Sequence, residues 1–319
     1  MSYIEWIRKR VGTRKIFLVF SSVVLWDEYG RVLLQHRTDF DVWGLPGGVL
    51  EINEDIEMCT RRELLEETGL TAGDLSLVGV YTHPKFDVTY PNGDRVQPFT
   101  ICFAGQVSGG QARVDGTETA ALGFFEAKEL NELDIPIWYQ AMLHDVRRGG
   151  PPAFTKPFAA VSTMDQIRDI RPFIGTERLI APGAVAVVAR DDGRILMTRR
   201  VDDGEWDFPA GFSDLGENVA HTAVREVKEE TGYDIQVERI IGVFSHPLFH
   251  YTYPNGDRVK NVGVLFRVRL VGGRPKLDVA ELLEIAWMTP DEIAACVPDK
   301  IGRLYTATIA HLDDGYFVD

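Results

Sequence analysis

The order of apolar and polar segments along the chain is written twice. In the first half, the segment from Tyr3 to Arg10 precedes the apolar run "IFLVFSSVVLW", and in the second half Met164 to Ile170 precedes "APGAVAVVA". Short continuous apolar runs bounded by turn residues are typical of buried strands. We therefore predict that each half begins with a short helix followed by a buried strand.

Each apolar run then passes through a glycine into a second strand. Gly30 precedes "RVLLQHR" and Gly193 precedes "RILMTRR", so each pair of strands is predicted to form a hairpin. A glycine loop, a helix and the strands "LVGVYTH" or "IIGVFSH" follow. The segment "TYPNGDRV" then stands unchanged in both halves. Its Asn-Gly pair predicts a second hairpin with a type I′ turn, and a further strand and helix end each half.

The two halves are related by a constant offset. Gly48 recurs as Gly211, and 211 − 48 = 163. This period is far too long for a solenoid, so it indicates a duplicated domain. Glycine, proline and small residues in "GGPPAFTKPFAAVS" interrupt the apolar pattern and mark the boundary. We predict two α/β domains with mixed sheets, at residues 1–150 and 163–319, joined by a linker at 151–162.

The composition and net charge of the chain limit the kinds of molecule that it is expected to bind. The 319 residues include 34 basic and 48 acidic ones, which gives a net charge of −14. Such a balance argues against binding a nucleic-acid polymer or an anionic membrane, because both attract basic surfaces. Three scattered cysteines without CxxC spacing suit a reducing compartment, and no apolar run approaches the length of a membrane span. A cytoplasmic protein is expected.

Three glutamates crowd one helical face in each half. They lie at positions i, i+3 and i+4 in "RELLEETG", residues 62–69, and in "REVKEETG", residues 225–232. Like charges at this spacing destabilise a helix by a few tenths of a kcal/mol per pair. Converging carboxylates form the hard oxygen site that Mg²⁺ or Mn²⁺ prefers. A bound cation offsets the repulsion and attracts phosphate oxygens, so a diphosphate site is predicted.

The glutamates belong to a longer pattern. A glycine, five residues, a glutamate, seven residues and then Arg-Glu precede the remaining glutamates in both halves. On average residue frequencies a chance match is below about one in ten million per window. Apolar residues recur at every fourth position of the predicted helix, and Gly69 and Gly232 stand where a left-handed C-cap is expected. The alternative, a solvated acidic face, does not explain the full pattern in both halves.

This pattern, G-x5-E-x7-R-E-U-x-E-E-x-G-U with U apolar or aromatic, resembles the signature of the Nudix hydrolases. The resemblance covers both halves nearly end to end and implies two tandem α/β/α sandwich domains, each with a loop–helix–loop box. It implies that the box glutamates and the carbonyl of the residue before the box glycine hold divalent metal. By this likeness the metal ligands are Glu63, Glu66, Glu67, Glu226, Glu229 and Glu230, with the carbonyls of Gly47 and Ala210.

The resemblance also implies roles near the reaction. Arg62 and Arg225 orient a neighbouring glutamate, while Glu54 and Glu217 support the loop or assist proton transfer. The position of the general base stays open, because members of the family differ in it. Glu118 and Glu281, which share the offset of 163, are candidates outside the box.

Substrate contacts are predicted from the strands beside the box. Arg37 and Arg200 end the strand that leads to it, and they are interpreted either as phosphate contacts or as solvated strand ends. Tyr90 and Tyr253 of the repeated "YPNGDRV" segment are candidates to line a ligand pocket, although the Asn-Gly hairpin alone also explains the repeat.

The leading hypothesis is a metal-dependent hydrolase that cleaves the pyrophosphate linkage of a nucleoside-diphosphate-type substrate by water attack on phosphorus. The alternative is a module that senses a nucleotide ligand, with one or both sites silent. A third class, an isomerase of isoprenoid diphosphates, depends on cysteine and glutamate motifs that are not found here. The expected partner is a small nucleotide or other diphosphate, with the halves as an internal pseudo-dimer or the chain as a homodimer. The box does not identify the substrate.

Overall fold

The chain folds as two compact units. A computed structural model describes residues 1–114, 116, 118–158, 163–297 and 299–319. The units are Met1–Ala153 and Phe154–Asp319. The predicted linker 151–162 crosses this division, and its residues 159–162 lie outside the described part of the chain. The exact domain limits stay a prediction.

Each unit contains more strands than helices. In the first unit they are α1 (Tyr3–Val11), β1 (Ile16–Trp26), β2 (Val32–Arg37), β3 (Val42–Gly44), α2 (Ile56–Thr68), β4 (Leu70–Ala72), β5 (Ser76–Tyr81), β6 (Val88–Thr89), β7 (Arg95–Gly110), β8 (Thr119–Phe125) and α3 (Ile137–Arg148). Short 3₁₀ helices span Pro84–Phe86 and Glu129–Glu132, and β9 (Ala153–Phe154) lies at the division.

The second unit repeats this order with additions near its end. It contains α4 (Gln166–Ile174), β10 (Leu179–Val188), β11 (Ile195–Arg200), β12 (Trp206–Asp207), β13 (Ala210–Phe212), α5 (Val219–Thr231), β14 (Tyr233–Phe244), β15 (His250–Thr252), β16 (Arg258–Gly273), β17 (Leu282–Met288), α6 (Pro290–Cys296), α7 (Asp299–Ala310) and β18 (Phe317–Val318), with a 3₁₀ helix at Pro247–Phe249. Among the described residues, no helix combines the length and the hydropathy needed to cross a bilayer.

Both units contain mixed sheets, which confirms the predicted fold class. In the first unit the strand order is β3-β2-β1-β7-β5, with β1 parallel to β7 and antiparallel to β2. In the second unit β10 is parallel to β16 and antiparallel to β13. Parallel neighbours need a crossover, and α2 or α5 lies in that connection. Strands β12, β11 and β17 form a separate three-stranded sheet.

Helices cover both faces of the first sheet. Ser21 of β1 faces α2, because its Oγ lies 3.4 Å from the Sγ of Cys59. Val24 belongs to the apolar cluster that contains Met142 and Leu143 of α3. Side chains an odd number of residues apart on a strand point to opposite faces, so α2 and α3 lie on opposite sides of the sheet. This is an α/β/α arrangement.

The apolar stripes of α2 and α5, the box helices, pack inward as predicted. The stripe residues are Ile56, Thr60, Leu64, Val219, Ala223 and Val227, and each exposes at most 2% of its surface. Full burial of a leucine or valine side chain contributes about 1.5–3 kcal/mol. Gly69 (φ 71°) and Gly232 (φ 75°) end the two helices in the left-handed conformation, which also confirms the prediction.

The first helix of the second unit differs from its predicted span, Met164 to Ile170. It begins at Gln166 because the Asp165 side chain caps it by accepting the N–H of Arg168 at 3.0 Å. The backbone of Met164 instead pairs with Leu215. Pro172 lies inside this helix, and beyond it the N–H of Gly175 still bonds to the carbonyl of Arg171.

The repeated hairpin forms, but its predicted type I′ turn is wrong. Among the described non-glycine residues only Asp41 has positive φ, so Asn92 and Asn255 do not, whereas Gly93 and Gly256 both have φ 88°. In the first hairpin Gly93 donates to the carbonyl of Tyr90, and Tyr90 donates to the carbonyl of Asp94, each at 2.8 Å. A three-residue loop with glycine in the left-handed position explains both bonds, so the asparagine needs no positive φ.

Candidate functional site

The start of each box helix is set by a side-chain cap. Asp55 Oδ1 accepts the N–H of Met58 at 2.7 Å, and Asn218 Oδ1 accepts that of His221 at 2.8 Å. With the left-handed glycine at the other end, the cap fixes where the helix lies along the chain. The glutamates therefore occupy the same helical positions in both units.

An arginine binds the first box glutamate through two hydrogen bonds in each unit. Arg62 Nε and Nη2 donate to Glu54 at 2.9 and 2.6 Å, and Arg225 Nε and Nη2 donate to Glu217 at 2.7 and 3.1 Å. Glu54 is 8% and Glu217 0% exposed. Burial raises the pKa of Glu54, but the bonds from Arg62 and from the Glu51 N–H outweigh it and leave the pKa below its usual value. The arginine and the loop N–H thus favour the ionised form of Glu54.

The same arginine gathers two further glutamates. Arg62 Nη1 donates to Glu63 at 2.7 Å and to Glu66 at 3.1 Å. Arg225 contacts its two glutamates in the same way; these are Glu226 at 2.7 Å and Glu229 at 3.0 Å. The arginine thus offsets the like-charge repulsion that the sequence revealed. The resemblance implied that the arginine orients one neighbouring glutamate. That it binds three was not predicted, because this depends on how the arginine side chain folds across its own helix.

The last glutamate of each box is buried beside the glycine loop. Glu67 is 3% and Glu230 2% exposed, and Glu67 Oε2 accepts the N–H of Gly47 at 2.8 Å. Burial raises the pKa of Glu67 to about 8, although Gly47 and Arg37 oppose the shift. Burial also raises the pKa of Glu230 well above its usual value. These carboxylates lie where ionisation needs a positive partner.

Glu230 has an oxygen that no described group satisfies. Its Oε2 is buried and has no hydrogen-bond partner. A buried, unpaired carboxylate oxygen is strongly unfavourable, and a hard divalent cation is the ligand that suits it. The residues present therefore fit the predicted ion. Within the described residues no group of three ligating side chains is arranged as a metal centre, and Glu63 and Glu226 accept hydrogen bonds from their arginines.

The box glycine makes room for a carboxylate. A Cβ on Gly48 would lie 2.3 Å from Glu63 Cδ, and one on Gly211 would lie 2.1 Å from Glu226 Cδ. No real Cβ approaches a carbon so closely. A glycine is thus required at this position if the glutamate is to lie against the loop. The sequence pattern showed only that both halves have a glycine at the same spacing from the glutamates.

The two predicted residues outside the box lie beside it. Glu118 lines the cavity described below and raises the pKa of Glu63, whereas Glu281 raises that of Glu226 and Glu230. The backbone carbonyl of Glu118 accepts the N–H of Thr38 at 3.0 Å, and that of Glu281 accepts the N–H of Val201 at 2.9 Å. The two glutamates therefore occupy the same position relative to the neighbouring strand. Each unit therefore has an additional acidic side chain near the buried box carboxylates.

Arg37 and Arg200 are not solvated strand ends. Arg37 pairs with Asp39 at 2.8 Å and Arg200 with Asp202 at 3.0 Å, and their side chains are only 17% and 29% exposed. Each lowers the pKa of the buried glutamate of its own unit. The structure thus brings both arginines close to the box.

A cavity of about 480 Å³ opens beside the box of the first unit. Its lining includes the box residues Gly47, Gly48, Glu63 and Glu66, together with Glu118. It also includes Arg37 and the aromatic rings of Phe40, Tyr90, Trp138 and Tyr139. A volume of this size suits a small organic ligand. Tyr253 holds the place of Tyr90 in the second unit, where burial raises its pKa.

An arginine of the first helix fastens the repeated hairpin in each unit. Arg8 Nη1 donates to the carbonyls of Gly12 and Arg14, and its Nη2 donates to that of Arg95 at 2.9 Å. Arg8 Nε also lies 3.6 Å from the Asp94 carboxylate. Arg171 makes the equivalent contacts with Gly175, Glu177, Arg258 and Asp257. We call this contact the latch. The latch explains why the repeated segment includes Asp94 and Arg95 in addition to the Asn-Gly pair. In the sequence, the only sign of the latch was that the two arginines are separated by the same offset of 163.

Comparison with known proteins gives one consistent result. A model of the NUDIX domain matches residues 18–146 and 179–307. A MutT-like protein of Streptomyces ambofaciens is 33% identical over 129 residues, which are 40% of this chain and 74% of that protein. An ADP-ribose pyrophosphatase of Methanocaldococcus jannaschii is 32% identical over 114 residues, 34% of this chain and 62% of that protein. A crystal structure of an ADP-ribose pyrophosphatase from Streptococcus suis, 20% identical, covers 44% of this chain and all of that one with a TM-score of 0.35.

Proposed function

Because this chain belongs to the Nudix family and is a Nudix-type hydrolase, we propose that each of its domains cleaves the pyrophosphate linkage of a nucleoside-diphosphate-type substrate with the help of Mg²⁺ or Mn²⁺. The observation that carries the proposal is the buried carboxylate of Glu67 and Glu230, present in both domains and with an unsatisfied oxygen in the second.

The box glutamates would hold the cation. The donor set is Glu63, Glu66 and Glu67 with the Gly47 carbonyl, and Glu226, Glu229 and Glu230 with the Ala210 carbonyl. A bound divalent cation polarises phosphoryl oxygens and lowers the pKa of water. Hard oxygen donors without cysteine or histidine suit Mg²⁺ or Mn²⁺.

The chain's own residues then orient and neutralise the diphosphate. Arg62 and Arg225 hold the helix glutamates in place, while Arg37 and Arg200 supply positive charge beside the buried carboxylate. In the reaction a water oxygen forms a bond to phosphorus, the bridging P–O bond breaks, and one water proton must be accepted.

Glu118 and Glu281 are the carboxylates we assign to accept that proton. Glu118 lines the cavity, and Glu281 acts on the second box from the same strand position. Both oxygens of Glu54 already accept bonds from Arg62, and the same holds for Glu217 with Arg225, so a supporting role fits these two better. A general base must reach the proton that it abstracts.

The test is hydrolysis of a panel of nucleotide sugars, dinucleotides, ADP-ribose and oxidised dNTPs with Mg²⁺ or Mn²⁺. We expect Glu67→Gln and Glu230→Gln each to remove the activity of one domain, and the double variant to lose more than about 100-fold, the upper range for altering a residue that only supports a metal ligand. Glu57→Gln is the matched control, since Glu57 lies on the same helix but is exposed and paired with Arg61.

Full rates in the double variant would show that the metal-ligand assignment is wrong. Tight binding of a nucleotide without hydrolysis of any compound would favour the sensing module. Activity lost in only one single variant would mean that the other domain is silent.

A further inference from the structure

Part of the predicted linker lies against the box of the second domain. Asn218 caps helix α5 with its side-chain oxygen, and the nitrogen of the same amide donates to the carbonyls of Thr155 and Lys156 at 3.2 and 2.9 Å. These residues stand 63 and 62 positions earlier in the chain. Asn218 is only 1% exposed. One side chain therefore joins the start of the box helix to the linker.

Two further contacts bring linker residues and the residue just after them to the same place. The ring of Phe158 lies 6.2 Å from that of His221, in the first turn of α5. Met164 and Leu215 exchange two backbone hydrogen bonds, at 3.0 and 2.9 Å. We call residues 155–158 together with Met164 the strap. The strap thus contacts both the box helix and the loop that precedes it.

The strap contacts the box where its buried glutamate is held. Nε2 of His221, the residue that Phe158 contacts, lies 3.7 Å from Oε1 of Glu217. Glu217 in turn binds Arg225 through two hydrogen bonds, and Arg225 gathers two of the three glutamates of the metal-ligand set. A shift of the box loop would therefore move these glutamates through Glu217 and Arg225.

The first domain has a different residue at the cap. Asp55 holds the place of Asn218, since 218 − 55 = 163. An ionised carboxylate accepts hydrogen bonds but donates none, so Asp55 can cap its helix and cannot bind two carbonyls as Asn218 does. Met58, the counterpart of His221, is 54% exposed, whereas the His221 side chain is 24% exposed. The bond between cap and strap is therefore a property of the second domain.

We propose, on the basis of the function given above, that Asn218 is a positioning residue, which holds the strap against the box loop and so fixes the glutamates of the second domain. The two ends of its amide have separate tasks. The oxygen sets the start of the helix, and the nitrogen holds the strap. The activity of the second domain then depends on the segment that joins it to the first.

The test uses Asn218→Asp and Asn218→Ser, which keep a good helix cap and remove the nitrogen donor. Both are made in the Glu67→Gln chain, so that the second domain supplies the hydrolysis, and the compound of the panel that this chain hydrolyses fastest is the substrate. We expect kcat to fall by about 10-fold in both variants, the lower range for altering an outer partner of a metal ligand, with KM changed less than about 2-fold. A residue that serves only as a cap would leave both constants unchanged.

Hydrogen exchange of the full chain without metal tests the strap itself. The amides of Met164 and Leu215 should exchange faster in both variants by roughly 5- to 150-fold, the effect of losing two hydrogen bonds. The midpoint of global unfolding should stay the same, because asparagine, aspartate and serine cap a helix about equally well. Unchanged exchange at these two amides would overturn the inference.

Asp55→Asn is the matched control, measured in the Glu230→Gln chain so that the first domain supplies the hydrolysis. It gives the first domain the cap residue of the second, and kcat should stay within about 2-fold because the two residues are equivalent caps. A chain that hydrolyses none of the compounds refutes the proposed function. Hydrolysis with an unchanged kcat in Asn218→Asp and Asn218→Ser refutes only the positioning role of Asn218.

Discussion

The two domains of this chain are alike at the box and different beside it. Arg62 and Arg225 make matching hydrogen bonds to three glutamates each, and Gly48 and Gly211 each lie against the corresponding box carboxylate. At the turn that follows the second strand, in contrast, Phe40 packs on Tyr90 in the first domain, whereas its counterpart Asp203 hydrogen-bonds to Tyr251 in the second. The contacts within the box are therefore the same in both domains, while side chains outside the box differ.

The largest effect is expected from removing the arginine that binds the buried box glutamate. Arg225→Ala leaves Glu217, which is 0% exposed, without its bidentate partner, so the free energy of unfolding should fall by about 3–5 kcal/mol. Arg62→Ala should lower the free energy of unfolding slightly less, because Glu54 is 8% exposed. Denaturant unfolding of the two variants measures both changes in free energy.

Glu57→Ala provides the control on the helix of Arg62, because it removes an ion pair while Arg61 keeps its bonds to the carbonyls of Ala72 and Gly73. Arg61 and Glu57 are about 40–45% exposed, so their pair should contribute about 0.3–0.5 kcal/mol. An Arg225→Ala change no larger than this would contradict the role given to the buried pair.

A pH effect should follow from Glu67. Its folded pKa, about 8, lies above the usual value of 4.5, so the folded state binds more protons than the unfolded state between these values. In the presence of a chelator, the free energy of unfolding of the chain is compared with that of Glu67→Gln. The difference in favour of the unaltered chain should be largest below pH 4.5 and should fall as pH rises towards 8. The change between these pH values should be about 4 kcal/mol, since each unit of pKa difference corresponds to about 1.4 kcal/mol.

Urea midpoints of the chain and of Glu67→Gln across this pH range measure the effect. Manganese should reverse the fall, since it favours the ionised carboxylate. Parallel stability curves for the two proteins would mean that Glu67 ionises freely when folded.

Adding one methyl group to the box glycine should abolish the activity of that domain without unfolding it. Gly48→Ala places Cβ against the carboxylate of Glu63, and Gly211→Ala does the same to Glu226. A displacement of about 1 Å near the chemistry lowers activity by roughly 100-fold, so each variant should lose the activity of its own domain.

Initial rates and denaturation midpoints separate activity from folding in these variants. Gly302→Ala is the matched control, because it lies in helix α7 and a Cβ there meets nothing within 4 Å. It should keep full activity and gain up to about 1 kcal/mol of stability. Equal activity in Gly48→Ala and Gly302→Ala would refute the close packing of Glu63.

The smallest expected effect concerns the latch. Arg8→Lys keeps the charge but has one nitrogen in place of the two that reach the three carbonyls, so the free energy of unfolding should fall by about 1–2 kcal/mol. Arg171→Lys should behave alike, because its contacts match. Thermal unfolding of the two variants makes the comparison. Arg10→Lys, on the same helix with one bond to its own turn, should change little.

Local sequence spacing predicted much of this molecule. The box helices, their buried stripes and their glycine ends were predicted because each depends on residues within about four positions of one another. The constant offset likewise predicted two units with the same order of elements. The helix that begins at Gln166 differs from its predicted start because the Asp165 cap, and not the apolar pattern, sets its first residue.

Other features could not be predicted, since they join distant residues. The latch connects Arg8 to the carbonyl of Arg95, 87 positions away. The cavity needs Phe40, Tyr90 and Tyr139 in one place, which only the folded sheet supplies. That Arg62 binds three glutamates depends on the position of its side chain, which residue spacing does not give. From the spacing alone, a bound metal was the explanation for the crowded negative charge.

The central claim is that the buried carboxylates of Glu67 and Glu230 each belong to a divalent-cation site. Electron paramagnetic resonance of Mn²⁺, which counts free ions, tests it most directly in the full chain. We expect Glu67→Gln and Glu230→Gln each to release about half of the tightly bound manganese, and the double variant to release nearly all of it. Manganese bound as tightly by the double variant as by the unaltered chain would contradict the claim.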